Sequence, residues 1–171
     1  DHVALEKPGY APVRNIFRDR GFAITDVAAS DDGKKKKKLP ANIRTAAYVS
    51  PSNNNFTGAV MPVGRRYELL RWAEENDSYI IEDDYDSEFR FKGKPIPALA
   101  ANDAEKVIYI GSFSKSVAPA IRVSFMVLPE KLLPLYQKKC GYLACTVSRV
   151  DQMILQEFID SGSFARYLNK M

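Results

Sequence analysis

The sequence predicts an α/β fold, a mostly parallel sheet with flanking helices, and two observations carry that prediction. Short β-rich runs alternate along the chain with segments of helical period. Three of those runs also break off into polar clusters, at the carboxyl ends of strands where open sheets of this kind take their ligands.

The elements follow in order. Val3-Ala4-Leu5-Glu6 reads as a strand, Val13 to Arg20 as a helix with Ile16 and Phe17 inward, and Phe22 to Val27 as a second strand. Asp31-Asp32-Gly33, the run Lys34 to Lys38 and Pro40 make a surface loop. Thr45 to Val49 is the third strand, stopped by Ser50-Pro51. Val63 to Glu75 has the pattern of an amphipathic helix whose buried stripe is Tyr67, Leu70, Trp72 and Ala73. Tyr79-Ile80-Ile81 and Val107 to Ile110 are short strands, and Val123 to Leu128 is a further one. Beyond Pro129 the pattern turns helical, Ser148 to Ser161 being the longest candidate, with Val150, Met153, Ile154 and Phe158 on its apolar side. No internal repeat is visible. The chain opens almost directly on a strand and closes at Tyr167 to Met171 with a helical pattern still running, so it reads as a fragment of a larger protein.

Composition narrows the class. A chain of 171 residues with 46% hydrophobic and 27% charged residues has the balance of one globular domain. No apolar run approaches the roughly 18 residues of a membrane span, and no signal peptide opens the chain, which points to a soluble, cytoplasmic protein. The net charge of +4 comes from one place: without Lys34 to Lys38, 20 basic residues face 21 acidic ones. That is a solvated loop or an anion-binding patch rather than the distributed basic face of a DNA-binding surface. Cys140 and Cys145 lack metal-ligand spacing and read as reduced structural residues in preference to a disulfide or redox pair.

Three strand ends carry the chemistry. Ser52 to Gly58, including Asn55, follows the third strand; Glu82-Asp83-Asp84-Tyr85-Asp86 follows Tyr79 to Ile81; Ser112-Phe113-Ser114-Lys115 follows Val107 to Ile110, with Arg122 seven residues beyond the lysine. Each piece has a use if the ligand is pyridoxal 5'-phosphate (PLP). A lysine can condense with an aldehyde, and a carboxylate can keep a pyridine nitrogen protonated. A tyrosine hydroxyl and an asparagine amide can bond a phenolic oxygen. Serine hydroxyls and an arginine fork suit a phosphate. Taken singly, each has a plainer reading. Lys115 could be a surface lysine, Glu82 to Glu88 a hard-cation site or a solvated turn, and Asn55 to Gly58 an ordinary turn with Gly58 at positive φ. Arg122 could pair with any acid nearby.

At these residues the sequence resembles the aminotransferase-like domain of the MocR subfamily of GntR-type transcriptional regulators. The most specific match is Ile80-Ile81-Glu82-Asp83-Asp84-Tyr85-Asp86-Ser87-Glu88-Phe89-Arg90. Lys94 to Leu99, Ile108 to Lys115, Ala118 to Arg122, Glu157 to Gly162 and Glu6-Lys7-Pro8-Gly9-Tyr10 support it, so the resemblance covers nearly the whole chain. It implies the large domain of a fold-type I PLP-dependent transferase, here as a fragment. Residues 1–171 would be part of that domain, with the start of the linker helix to the small domain at about residues 145–171.

By position, the resemblance makes Lys115 the Schiff-base lysine and Asp83 the partner of the pyridine nitrogen. Tyr85 matches the contact to the phenolic oxygen, and Ser112, Ser114 and Arg122 match phosphate-side positions. Asn55 falls where related aminotransferases carry the asparagine of an Asn-Pro-Thr-Gly turn, although Phe56 replaces the proline and some regulators have an aromatic at the asparagine position. The lysine run is a second departure, in a loop that usually mixes apolar and polar residues. The resemblance further implies a homodimer, an amine or amino-acid effector sensed through PLP, and DNA binding through a winged-helix domain outside this chain. The alternatives are a catalytic aminotransferase of the same fold and a domain that binds no PLP at all.

Overall fold

The computed structural model describes residues 1–28, 39–87 and 96–170. The lysine run and the segment from Glu88 to Pro95 lie outside the described residues. The described strands form one six-stranded sheet in the order β2-β1-β3-β4-β5-β6. They are β1 (His2–Lys7), β2 (Ala23–Ala28), β3 (Ala46–Val49), β4 (Tyr79–Asp84), β5 (Val107–Ser112) and β6 (Ser124–Val127). Every pair is parallel except β5 with β6, which run antiparallel. The predicted mostly parallel α/β sheet is therefore the observed one, with an antiparallel edge. From β1 the chain winds outward to β2, then returns to β3 on the other side of β1, so the order reverses between β1 and β3. Sheets of this type bind ligands at the carboxyl ends beside such a reversal.

The register decides which side chains share a face. Ala47, Ile80 and Val107 lie abreast, as do Val49 with Glu82 and Asp84 with Gly111. These residues belong to the buried face, where Ala4, Val27, Ala47, Val49, Ile80 and Val107 meet Met61, Leu69, Trp72, Ala73 and Leu99. Because strand side chains alternate, Tyr48, Ile81, Asp83 and Ser112 point to the opposite face. That face is covered in part by α1 (Ala11–Asp19), whose Arg14 pairs with Asp26 of β2. The helix α2 (Val63–Glu75) covers the buried face. Two short helices bracket β5, α3 (Leu99–Asn102) before it and α4 (Phe113–Ser116) after it.

Two helical stripes are phased differently from the sequence expectation. In α2, Trp72 and Ala73 are buried as expected, but Tyr67 is exposed and Leu70 only half-buried, and Arg66 and Leu69 fill the other buried positions. The misreading has a physical cause: the inward ridge contains an arginine, which hydropathy places outside. Arg66 is buried because three backbone carbonyls satisfy its guanidinium, those of Met61 at 3.2 Å, Pro97 at 2.8 Å and Pro51 at 2.9 Å. In α1, Ile16 is exposed and Phe17 is half-buried, its ring edge-on to Phe22 with centroids 5.3 Å apart.

Past β6 the chain is helical as expected: α5 (Leu133–Cys140), α6 (Arg149–Asp160) and α7 (Ser163–Leu168). The inward residue of α6 is Leu155, at 6% exposure, while Val150, Met153 and Ile154 lie on its exposed side. Three residues of the predicted apolar stripe thus face outward here, whereas the fourth, Phe158, is half-buried against the rings of Phe164 and Tyr167. Cys140 and Cys145 are free thiols, the second of them exposed. No described helix is long and apolar enough to cross a membrane.

Candidate functional site

The loop after β3 is organised by a single side chain. Asn54 is buried, and its amide oxygen accepts hydrogen bonds from the backbone N–H of Phe56 at 3.1 Å and of Thr57 at 3.0 Å, and from the Thr57 hydroxyl at 3.0 Å. Its amide nitrogen donates to the Glu6 carboxylate and to the Pro8 carbonyl. The turn closes at Gly58, where φ is +68°, the left-handed conformation that glycine adopts without a Cβ clash. Asn55 is thereby held out at the sheet rim.

Alternation along β4 splits its acidic string between two jobs. Glu82 is fully buried, and its two oxygens accept from the backbone N–H of Leu99 at 2.8 Å and of Ala100 at 3.0 Å. Those are first-turn donors of α3, so this acid anchors a helix. Burial raises its pKa, against those two backbone bonds. Asp84 accepts from the Tyr109 hydroxyl at 2.7 Å. Asp83 and Tyr85 project the other way. Among the described residues no group of three His, Cys, Asp or Glu side chains could hold a metal ion.

Asp83 has a partner that sequence reading missed. The Tyr48 hydroxyl, from β3, donates a hydrogen bond to Asp83 Oδ2. Burial raises the Asp83 pKa, the Tyr48 hydrogen bond pulls it back, and the charges of Asp84 and Asp86 push it up again. Burial, and then the Asp83 charge, hold the Tyr48 phenol protonated well above its ordinary range. Tyr48 went unread because a tyrosine inside Ala46–Val49 serves equally well as an ordinary strand residue.

At the end of β5 the chain turns directly into α4. Ser112 caps this helix, its hydroxyl accepting from the Ser114 backbone N–H at 3.2 Å. The Ser114 hydroxyl accepts from the Arg122 guanidinium at 3.3 Å. Arg122 itself sits at φ +49°, a left-handed conformation uncommon for a residue with a side chain. Lys115 carries its ammonium 3.0 Å from Asp86 Oδ2 and 4.4 Å from the centre of the Tyr85 ring. Asn53 ties the same corner together, its amide donating to Asp86 Oδ2 at 2.7 Å and its carbonyl accepting from the Tyr85 hydroxyl at 3.0 Å. The Tyr85 phenol is raised to about 12, by burial first and then by Asp86 and Asp83.

Asn55, Asp83, Tyr85, Ser112, Ser114, Lys115 and Arg122 all line one open cavity of about 450 Å³, together with Tyr10, Val123 and Ser124. That volume is in the range of small-molecule sites. Its lining supplies an amine, an acid, hydroxyls and a guanidinium. Such a set can bind a molecule with an anionic end and a reactive carbonyl. Tyr10, Tyr48, Asn53 and Asp86 are the residues around the site to which the sequence alone assigned no role, although Asn53 and Asp86 fall in its strand-end clusters.

The chain has relatives among known proteins. Residues 1–164 match the family model "Aminotransferase class I and II". Among curated proteins, the chain is 40% identical over 170 residues to the uncharacterized HTH-type transcriptional regulator YdeL of Bacillus subtilis (strain 168), a match that covers 99% of this chain and 37% of that protein. It is 33% identical to the probable rhizopine catabolism regulatory protein MocR of Rhizobium meliloti, over 98% of this chain and 34% of that one. The chain thus spans little more than a third of these relatives. Among solved structures, the alpha-aminoadipate aminotransferase LysN of Thermus thermophilus, complexed with N-(5'-phosphopyridoxyl)-L-leucine, superposes with a TM-score of 0.80 at 33% identity, over 99% of this chain and 46% of that one. The multiple substrate aminotransferase of Thermococcus profundus gives 0.84 at 27% identity, over 99% and 45%. By fold and by sequence, this chain belongs to the aminotransferase class I and II family, and it shares that domain with helix-turn-helix transcriptional regulators of the MocR type.

Proposed function

We propose that this chain is the effector- and PLP-binding part of a GntR/MocR-type transcriptional regulator that senses an amine or amino acid. The observation that carries the reading is the single cavity lined by both Lys115 and Asp83, with Ser112, Ser114 and Arg122 along the same rim. The donor set fits PLP: an amine for its aldehyde, an acid for its ring nitrogen, hydroxyls and a guanidinium for its phosphate. When bound, PLP supplies an aldehyde that condenses with amines and a ring that withdraws electrons.

The chain's own residues then have distinct tasks. Lys115 presents the amine. Asp83, held by Tyr48, keeps a proton on the ring nitrogen. Tyr85 and Asn55 serve the phenolic oxygen, and Ser112, Ser114 and Arg122 hold the phosphate. Effector binding would shift the population of conformers that position DNA-binding heads in the intact protein, a cytoplasmic homodimer whose DNA contacts come from a separate domain. Residues 1–171 are then part of the PLP-binding domain, with the linker to the small domain beginning at about residue 145 and its helix at Arg149 rather than at the linker's start.

The test uses the intact protein loaded with PLP and reduced with borohydride. Mass spectrometry is expected to find the adduct on Lys115, and Lys115→Ala is expected to remove both the adduct and the visible absorbance band. An adduct that persists in Lys115→Ala protein overturns the assignment. A second reading, a working aminotransferase, is favoured by one observation, the 33% identity to the Thermus aminotransferase. Transfer of an amino group from an amino acid to a 2-oxo acid by the intact protein would decide for it.

A further inference from the structure

We propose that Asp86 is the resting partner of the Lys115 ammonium and sets how readily an incoming amine displaces that lysine. This inference rests on Lys115 being the PLP-bearing residue.

The structure distinguishes a fixed partner from a mobile one. Asp86 is 8% exposed and lies just beyond the end of β4, whereas the Lys115 side chain is 52% exposed. One carboxylate oxygen, Oδ2, already receives the Lys115 ammonium at 3.0 Å and the Asn53 amide at 2.7 Å. The other, Oδ1, is buried and has no hydrogen-bond partner among the described residues. A buried carboxylate oxygen without a donor is costly, and a rotating ammonium with three N–H groups, already bonded to the other oxygen, is able to relieve it. Asp86 is not among the residues lining the cavity, whereas Tyr85 and Lys115 are. It therefore acts on the lysine from behind, without occupying space that cofactor or effector would need.

The chemistry gives this contact a direction. When an effector that arrives as an ammonium displaces Lys115 from the former aldehyde carbon, it attacks as the free amine, and the carbon-nitrogen double bond to the incoming nitrogen forms as the bond to Nζ breaks. The three hydrogens of the effector ammonium pass to Nζ, which leaves as an ammonium, so atoms and charge balance and no oxidant is needed. The released lysine is then an ammonium, and the Asp86 carboxylate stabilises that product state. The same contact opposes the reverse step, in which Nζ must leave the carboxylate to bond carbon. Asp86 thus tilts the exchange toward the effector while slightly weakening the hold of Lys115 on PLP. A residue that merely kept the loop in shape would move both quantities the same way.

The experiment uses the intact PLP-loaded protein with methylamine as the probe. After each methylamine addition the sample is reduced with borohydride, and mass spectrometry counts the fraction of cofactor fixed to Lys115. In Asp86→Asn the methylamine concentration for half-displacement is expected to rise about three- to tenfold, the range for a half-exposed charge-assisted pair. The PLP dissociation constant should stay unchanged or fall, and Asp86→Glu, which keeps the charge, should exchange within about twofold of wild type. Should Asp86→Asn not fold, Asp86→Ser is judged by the same pair of measurements. Unchanged half-displacement, or weaker PLP binding in parallel with weaker exchange, overturns the role of Asp86 and leaves the PLP assignment intact. Wild-type protein that shows no adduct on Lys115 before methylamine is added overturns both.

Discussion

The Tyr48 hydroxyl donates to the Asp83 carboxylate from the neighbouring strand, two register positions away. Among the described residues it is the one hydrogen-bond donor to Asp83. It is also the influence that opposes burial, which raises the Asp83 pKa.

From this the effect of Tyr48→Phe follows with its sign. Removing the hydroxyl leaves burial and the Asp84 and Asp86 charges unopposed, so Asp83 holds its proton to still higher pH. The charged form, which a protonated ring nitrogen requires, is then available over a narrower range. The acid limb of PLP binding to the intact protein should move to higher pH, with affinity at neutral pH lowered several-fold, about 1 kcal/mol. Spectrophotometric titration across pH reads both. An unmoved acid limb would show that Tyr48 does not support Asp83.

Glu6 gives a second pH prediction, on stability. Its carboxylate is buried and accepts from the Ser50 N–H at 3.0 Å and the Asn54 amide at 3.3 Å. Burial outweighs those bonds and raises its pKa from 4.5 to about 7. The folded state therefore binds the proton more tightly than the unfolded state does. The stability this contributes is complete below about pH 4.5 and is lost as pH rises toward 7. The difference across that window is about 3 kcal/mol. Glu6→Gln, which cannot titrate, should flatten the slope between about pH 4.5 and pH 7, read by urea unfolding with hydrogen exchange in β1. An unchanged slope would assign the titration elsewhere.

Much of this site was legible because strand chemistry is local. A β-rich run ending in Glu82-Asp83-Asp84-Tyr85 or Gly111-Ser112-Phe113-Ser114-Lys115 announces both a strand and its functional end. What could not be read depends on pairing between distant segments. Tyr48 acquires its role only because β3 lies beside β4, and Asp86 only because the β5 end brings Lys115 to it. The division of the acidic string, Glu82 into the core and Asp83 toward the cavity, follows from the pleat, but which parity faces which side needed the register. Arg66 misled the helix phase because its burial rests on three carbonyls contributed by two loop segments, the β3–α2 connection and the one before α3.

At the sheet's antiparallel edge an aromatic ring lies over a glycine. Gly111 lies opposite Phe125 in the β5–β6 register, and a Cβ at Gly111 would come within 2.4 Å of the Phe125 ring. Gly111→Ala must therefore push the ring away and disturb the tilted stacking of Phe125 on Phe113 and Tyr109. Because Phe125 is 41% exposed and its ring can yield, the expected cost is about 1 kcal/mol, the low end for overpacked contacts. Phe125→Ala in the same chain should recover part of it. A double-mutant cycle with zero coupling would mean that the ring moves aside freely.

Arg122 offers a test of the phosphate side that is independent of Lys115. Its left-handed φ of +49° turns the chain between the Pro119–Ile121 turn and β6, and it aims the guanidinium at the Ser114 hydroxyl. Two substitutions separate backbone from side chain. Arg122→Gly relieves the left-handed conformation and removes the charge; Arg122→Lys keeps the charge but loses the planar fork. If the guanidinium grips a phosphate, both should weaken PLP binding to the intact protein, glycine by about tenfold or more and lysine by less, as expected for loss of charge-assisted bonds. Pyridoxal, which lacks the phosphate, should bind wild type and both variants alike. That comparison decides the matter, since a variant that weakened pyridoxal as much as PLP would have damaged the turn and not the anion site.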